Sequence, residues 1–184
     1  MNAKIQRLRE LDAVDEMARR WDEYADVYNS SRLYLHGGVE LSELLPASLR
    51  VLYGLSDRPT FGDLSFRREC DFRPAKAVDY KGESVYDGDL IRIGDVREQS
   101  LLIDPNNGLA MIYDYSYFKY DAESGVSVEC GDISELVNTV ALGPRYMEIN
   151  GPPEQWDEEW WLEDPWYLYL VEIGMITDGG SKEV

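Results

Sequence analysis

Apolar residues Ile5, Leu8, Leu11, Val14, Met17, Trp21, Tyr24 and Tyr28 recur at three- and four-residue steps. That period places them on one face of an amphipathic helix. Neither Gly nor Pro interrupts the run, so one N-terminal helix is predicted over 1–30, with Asn29, Ser30 and Ser31 able to end it. A loop at His36-Gly37-Gly38 follows. A shorter helix is then predicted from Pro46 to Tyr53, with Leu49, Val51, Leu52 and Tyr53 as its apolar positions and Gly54 at its C-terminus.

From Phe61 onward the pattern becomes short apolar runs between turn residues, the signature of antiparallel strands. The clearest are Leu90–Ile93, Leu101–Ile103, Leu109–Tyr113, Tyr115–Tyr120 and the alternating Val126–Glu129. Asp104-Pro105-Asn106-Asn107-Gly108 lies between two of them as a hairpin turn, where Pro favours the bend and Asn or Gly accepts positive φ. Asp132 is placed to cap a helix bearing Ile133, Leu136, Val137 and Val140, which should end before Gly143-Pro144. In the tail, 146–176, Trp156, Trp160, Trp161 and Trp166 are interleaved with Glu154, Asp157, Glu158, Glu159, Glu163 and Asp164. Two helices are predicted there, Glu154–Leu162 and Pro165–Ile173, with Asp164 as N-cap of the second. The pattern predicts an α+β fold: a twisted antiparallel sheet flanked by helices in a single domain spanning 1–184. An N-terminal helix and a Trp- and acid-rich helical C-terminal extension complete it.

With 184 residues, 44% of them hydrophobic and 12% aromatic, the chain has the composition of a folding domain. No apolar run is long enough to span a bilayer and charges interrupt residues 1–16, so a cytoplasmic protein without membrane contact is expected. The net charge of −18 is unevenly spread: 17 acids and 14 bases in residues 1–92, against 19 acids and 4 bases in residues 93–184. A field of that sign repels nucleic acid and attracts basic proteins.

Chemistry is sparsely provided. His36 is the only histidine, which excludes a multi-histidine metal site or mechanism. Cys70 and Cys130 match no zinc spacing and are expected as reduced thiols. The Asp104 turn has a faint calcium-loop look, but Gly108 comes one position early and Tyr115 stands where a bidentate Glu is needed. No P-loop or Gly-x-Ser-x-Gly occurs, and no catalytic residue, metal or cofactor is expected.

Leu44-Leu45-Pro46-Ala47-Ser48-Leu49-Arg50-Val51-Leu52-Tyr53-Gly54 is similar to the early helix of the SUKH superfamily. Leu90-Ile91-Arg92-Ile93-Gly94-Asp95 looks like its strand ending in a glycine turn. Leu102–Gly108 followed by Ala110–Asp114 looks like its central hairpin, and the helix with Ile133, Leu136, Val137 and Val140 sits where the family places its closing helix. The resemblance covers about 40–142; the long first helix and the acidic Trp tail depart from it. It implies an immunity protein that neutralises a basic toxin, such as a nuclease, by occluding its active site with an acidic surface.

Aromatic anchors with a charged rim suit such an interface, so Glu154, Trp156, Asp157, Glu158, Glu159, Glu163 and Asp164 are the expected partner-binding residues. Against this stands a tail whose Trp160, Trp161, Trp166, Leu168 and Leu170 simply pack while the acids face water. A monomer or weak dimer is expected. Alternatives are a nucleic-acid mimic, a regulatory interaction domain or a carboxylate-based enzyme, the last requiring two inward carboxylates in one pocket.

Overall fold

The computed structural model describes residues 1–24, 32–114, 125–151 and 159–177. The single N-terminal helix of the sequence pattern is two: α1 (Asn2–Glu10) and α2 (Ala13–Tyr24). Asp12 breaks the run by taking φ 48°, and its carbonyl accepts from the N–H groups of Asp15 and Glu16 to start α2. The apolar stripe survives the break because Ile5, Leu8, Ala13 and Met17 are all buried. Residues 25–31, including Tyr28 and the predicted helix stop, lie outside the described residues.

The second helix, α3 (Ala47–Tyr53), starts after Pro46 and ends at Gly54 as predicted. Leu49, Leu52 and Tyr53 are fully buried, but Val51 points outward at 44% exposure.

Among the described residues eight strands form one antiparallel sheet: β1 (Arg32–Tyr34), β2 (Thr60–Gly62), β3 (Leu64–Phe66), β4 (Arg73–Ala75), β5 (Leu90–Val96), β6 (Gln99–Ile103), β7 (Ala110–Tyr113) and β8 (Val126–Cys130). Their order is β1-β2-β3-β5-β6-β7-β8, with β4 pairing with the first half of β5. Strand alternation gives the sheet two apolar faces. One carries Leu64, Phe66, Ile93, Leu101, Ile103, Ile112 and Val128 into the main core beneath the helices. The other carries Leu90, Leu102, Met111 and Tyr113, closed over by the segment around Ala77 and Val85. Tyr113 helps fasten that cover: its hydroxyl donates to Val78 O at 2.6 Å and accepts from Val78 N at 3.0 Å.

The β6–β7 hairpin turns as the sequence predicts. Asp104 Oδ1 accepts from Asn106 N at 2.7 Å, Gly108 N returns to Asp104 O at 2.9 Å, and Gly108 takes φ 84°. After β8, Asp132 accepts from Glu135 N at 2.7 Å and caps a short turn, α4 (Ile133–Glu135). It continues as a π-helix, Leu136–Ala141, and then a 3-10 helix, Pro144–Asn150. The tail contributes a 3-10 turn, Trp160–Leu162, and α5 (Pro165–Glu172). Of the predicted helix Glu154–Leu162, residues 154–158 lie outside the described residues and the remainder contains the 3-10 turn; the predicted strand Tyr115–Tyr120 also lies outside.

Candidate functional site

The C-terminal segment is bolted to the turns at one end of the sheet. Trp166 is fully buried and donates Nε1–H to Ala141 O at 2.9 Å. Its ring fills the space beside Gly62, which has φ 57°; a Cβ there would stand 2.6 Å from Trp166 Cγ and 2.7 Å from the Tyr146 hydroxyl. Trp160 packs edge-on against Trp161, ring centres 6.2 Å apart, and lies under the Arg97 guanidinium at 4.5 Å. That stacking is a cation–π contact between the β5–β6 turn and the tail.

Arg97 is also the cation of a buried cluster. Its Nε donates to Asp63, the residue between β2 and β3, and its Nη2 lies 3.9 Å from Asp164 Oδ2. Asp63 and Asp164 are 5% and 1% exposed. Tyr146 Oη accepts from Asp63 N at 3.3 Å. Asp164 Oδ1 accepts from Tyr167 N at 2.9 Å and caps α5, whereas Oδ2 is buried without a hydrogen-bond partner. Burial, and next the neighbouring Asp63, push the Asp164 carboxyl up to about 7, although the Tyr167 N–H and Arg97 oppose the shift. Arg97 is held charged: burial works against its charge, but Asp63 and then Tyr146 and Asp164 outweigh it and raise its pKa.

The residues expected to bind a partner therefore divide. Glu154, Trp156, Asp157 and Glu158 lie outside the described residues. Glu159 and Glu163 are exposed, as an interface rim requires. Asp164 must be withdrawn from that set, because its carboxylate is enclosed beside Arg97 and spent on capping α5. Trp161 and Trp166 are core residues, and Trp160 is half-buried. Leu168, expected to pack, is instead 44% exposed, and Leu162 between the two exposed glutamates is 48% exposed. Leu168 was missed as a surface residue because its type predicts burial; only its phase relative to Trp166 marks it as outward.

The other candidates for chemistry are quiet. His36 is exposed and meets the Tyr34 ring edge-on at 5.3 Å. Cys70 and Cys130 are free thiols, the first exposed and the second buried, where burial raises its pKa. Among the described residues no three His, Cys, Asp or Glu side chains gather as a metal site. Asp104 is occupied by its own turn and by the Tyr86 hydroxyl, which donates to Oδ2 at 2.6 Å. Burial acts to raise its pKa, but the Tyr86 hydroxyl and the Asn106 and Asn107 N–H groups hold it below the usual carboxylate value. Asp63 and Asp164 are an inward carboxylate pair, both buried, that flank Arg97 where α5 meets the sheet.

The chain matches no protein-family model, no curated protein and no solved structure.

Proposed function

We propose that this chain is a protein-binding module of the SUKH-like immunity type, whose acidic C-terminal face occludes the active cleft of a basic toxin such as a nuclease. The observation that carries the reading is the outward triplet of Glu159, Leu162 and Glu163 on a segment anchored by Trp161 and Trp166. Exposed leucine flanked by carboxylates is the composition of an apolar contact with a charged rim. Anchoring from behind lowers the ordering cost of binding. The excess of 19 acids over 4 bases in residues 93–184 supports steering towards a cationic partner. Within that half Arg97 and Arg145 are already engaged by carboxylates, Asp63 and Glu148 respectively. The sequence resemblance over residues 40–142 is the ground for naming the immunity type.

The test is co-expression with the product of the reading frame next to this gene. The reading expects growth rescue, a stable complex, and loss of both in Glu159→Lys/Glu163→Lys while the fold is retained. A harmless neighbour product, or a complex indifferent to those charge reversals, would overturn it. Inhibition of several unrelated nucleic-acid-binding proteins would point to the mimic instead.

A further inference from the structure

A groove of about 450 Å³ is lined by Arg58, Phe66, Arg67, Arg68, Asp71 and Arg73. Four guanidinium groups thus meet one lining carboxylate in a chain whose net charge is −18. Two of them are matched. Arg67 forms a bidentate pair with Asp95 at 2.7 and 3.0 Å, and Arg68 Nε donates to Asp57 at 3.2 Å. The other two are not. Arg73 Nη1 donates to the carbonyls of Cys70 and Phe72 at 2.8 and 2.7 Å, which orients its fork without neutralising it. Arg58 lies 4.6 Å over the Tyr34 ring and, like Arg73, has no carboxylate within ion-pair distance among the described residues.

The strand register adds to the excess. Arg73 stands directly opposite Arg92 across β4 and β5. Cross-strand partners project to the same face, and like charges there are destabilising. Arg92 shares Asp95 with Arg67, and its Nε is buried with no acceptor. Five arginines therefore converge on three carboxylates, Asp57, Asp71 and Asp95.

We infer that this groove binds the phosphoryl group of a small molecule. A phosphate dianion supplies the two missing negative charges, and its tetrahedral oxygens accept paired N–H bonds from planar guanidinium forks. Bound beside Arg73 it also relieves the Arg73–Arg92 opposition. The acidic half of the chain repels polyanions, which favours a compact solute over nucleic acid. The site is independent of the acidic face and of the partner proposed for it.

Calorimetric titration of the intact chain at low ionic strength, with inorganic phosphate, pyrophosphate and a phosphate monoester as separate probes, tests the inference. The expected result is saturable one-to-one binding that chloride at matched ionic strength does not reproduce. Preference for the monoester identifies an organic phosphate as ligand, and preference for either inorganic probe a free one. Arg58→Gln/Arg73→Gln should weaken binding about tenfold or more, while Lys76→Gln, an exposed cation outside the groove lining, leaves it unchanged. Thermal melts establish that each variant is folded. Failure of all three probes to saturate, or full affinity in the folded double variant, overturns the site.

Discussion

Replacing Asp164 by Asn tests the buried cluster that fastens the tail. The carboxyl titrates at about 7 in the folded chain against 3.8 as its ordinary value. Because the folded pKa is raised, the folded state retains the proton where the unfolded chain has released it. Its contribution is therefore complete below about pH 4 and is lost as pH rises through about 7. A rise of roughly three units at 1.36 kcal/mol each makes the difference between plateaus about 4 kcal/mol. Asn caps a helix as well as Asp does but carries no charge to bury. Its amide must still find partners beside Arg97, which costs about 1–3 kcal/mol. Urea titrations from about pH 5 to about pH 8 should show wild-type stability falling and Asp164→Asn stability nearly level, so that the variant gains on the wild type as pH rises. Asp164→Ala should be equally level but lower by about 1 kcal/mol through loss of the cap. Parallel pH profiles for wild type and Asp164→Asn would refute the reasoning, since exposed His36 and the other carboxylates are common to both.

Gly62→Ala should destabilise the chain by about 2–4 kcal/mol, because a Cβ there collides with Trp166 and Tyr146 and the residue must hold a positive φ; chemical denaturation gives the value. Tyr113→Phe removes both hydrogen bonds to Val78, at a cost of about 1–3 kcal/mol. Hydrogen exchange should quicken in the segment from Ala77 to Val85 before it quickens in β6. Tyr86→Phe removes the hydroxyl that donates to Asp104 and accepts from Asn107 Nδ2 at 2.8 Å, and should cost about 1–2 kcal/mol near neutrality. Since that hydroxyl lowers the Asp104 pKa, the deficit should shrink as pH falls from about 4 through that lowered pKa, below which the carboxyl is protonated in both proteins; urea melts at two pH values measure it.

The elements legible in the sequence were those whose signals are local. Pro46 and Gly54 bracket α3, Asp132 and Asp164 cap the helices they precede, and Asp104 to Gly108 turns the hairpin. The break at Asp12 was hidden because apolar residues remain in phase on both sides of it, and only a backbone dihedral marks the discontinuity. β1 and β4 have three residues each, too few to reveal a period, and Pro74 masks the second. In the tail, residue type failed in both directions. Asp164 reads equally well as a cap and as a surface acid, but once it is the cap of a helix packed on Arg97 it cannot also meet a partner. Leu168 reads as core, yet Trp166 takes the inward position and leaves it exposed. The arginine groove was invisible because its members belong to separate segments that only the pairing of β3, β4 and β5 brings together.

The Tyr113 clasp also joins distant parts of the chain. Val78, which it clasps, lies 35 residues earlier in the chain, so a growing polypeptide presents the cover before the side chain that fastens it. Ala77 and Val85 have their full surface to cover only once β6 and β7 have paired and set Leu102 and Met111 beside Leu90. Contacts of such separation carry a loop-closure cost that earlier, shorter contacts do not. Until the tyrosine engages, the face carrying Leu102 and Met111 has its cover unfastened, and an apolar sheet face left open in that way is where self-association of a partly folded chain would begin.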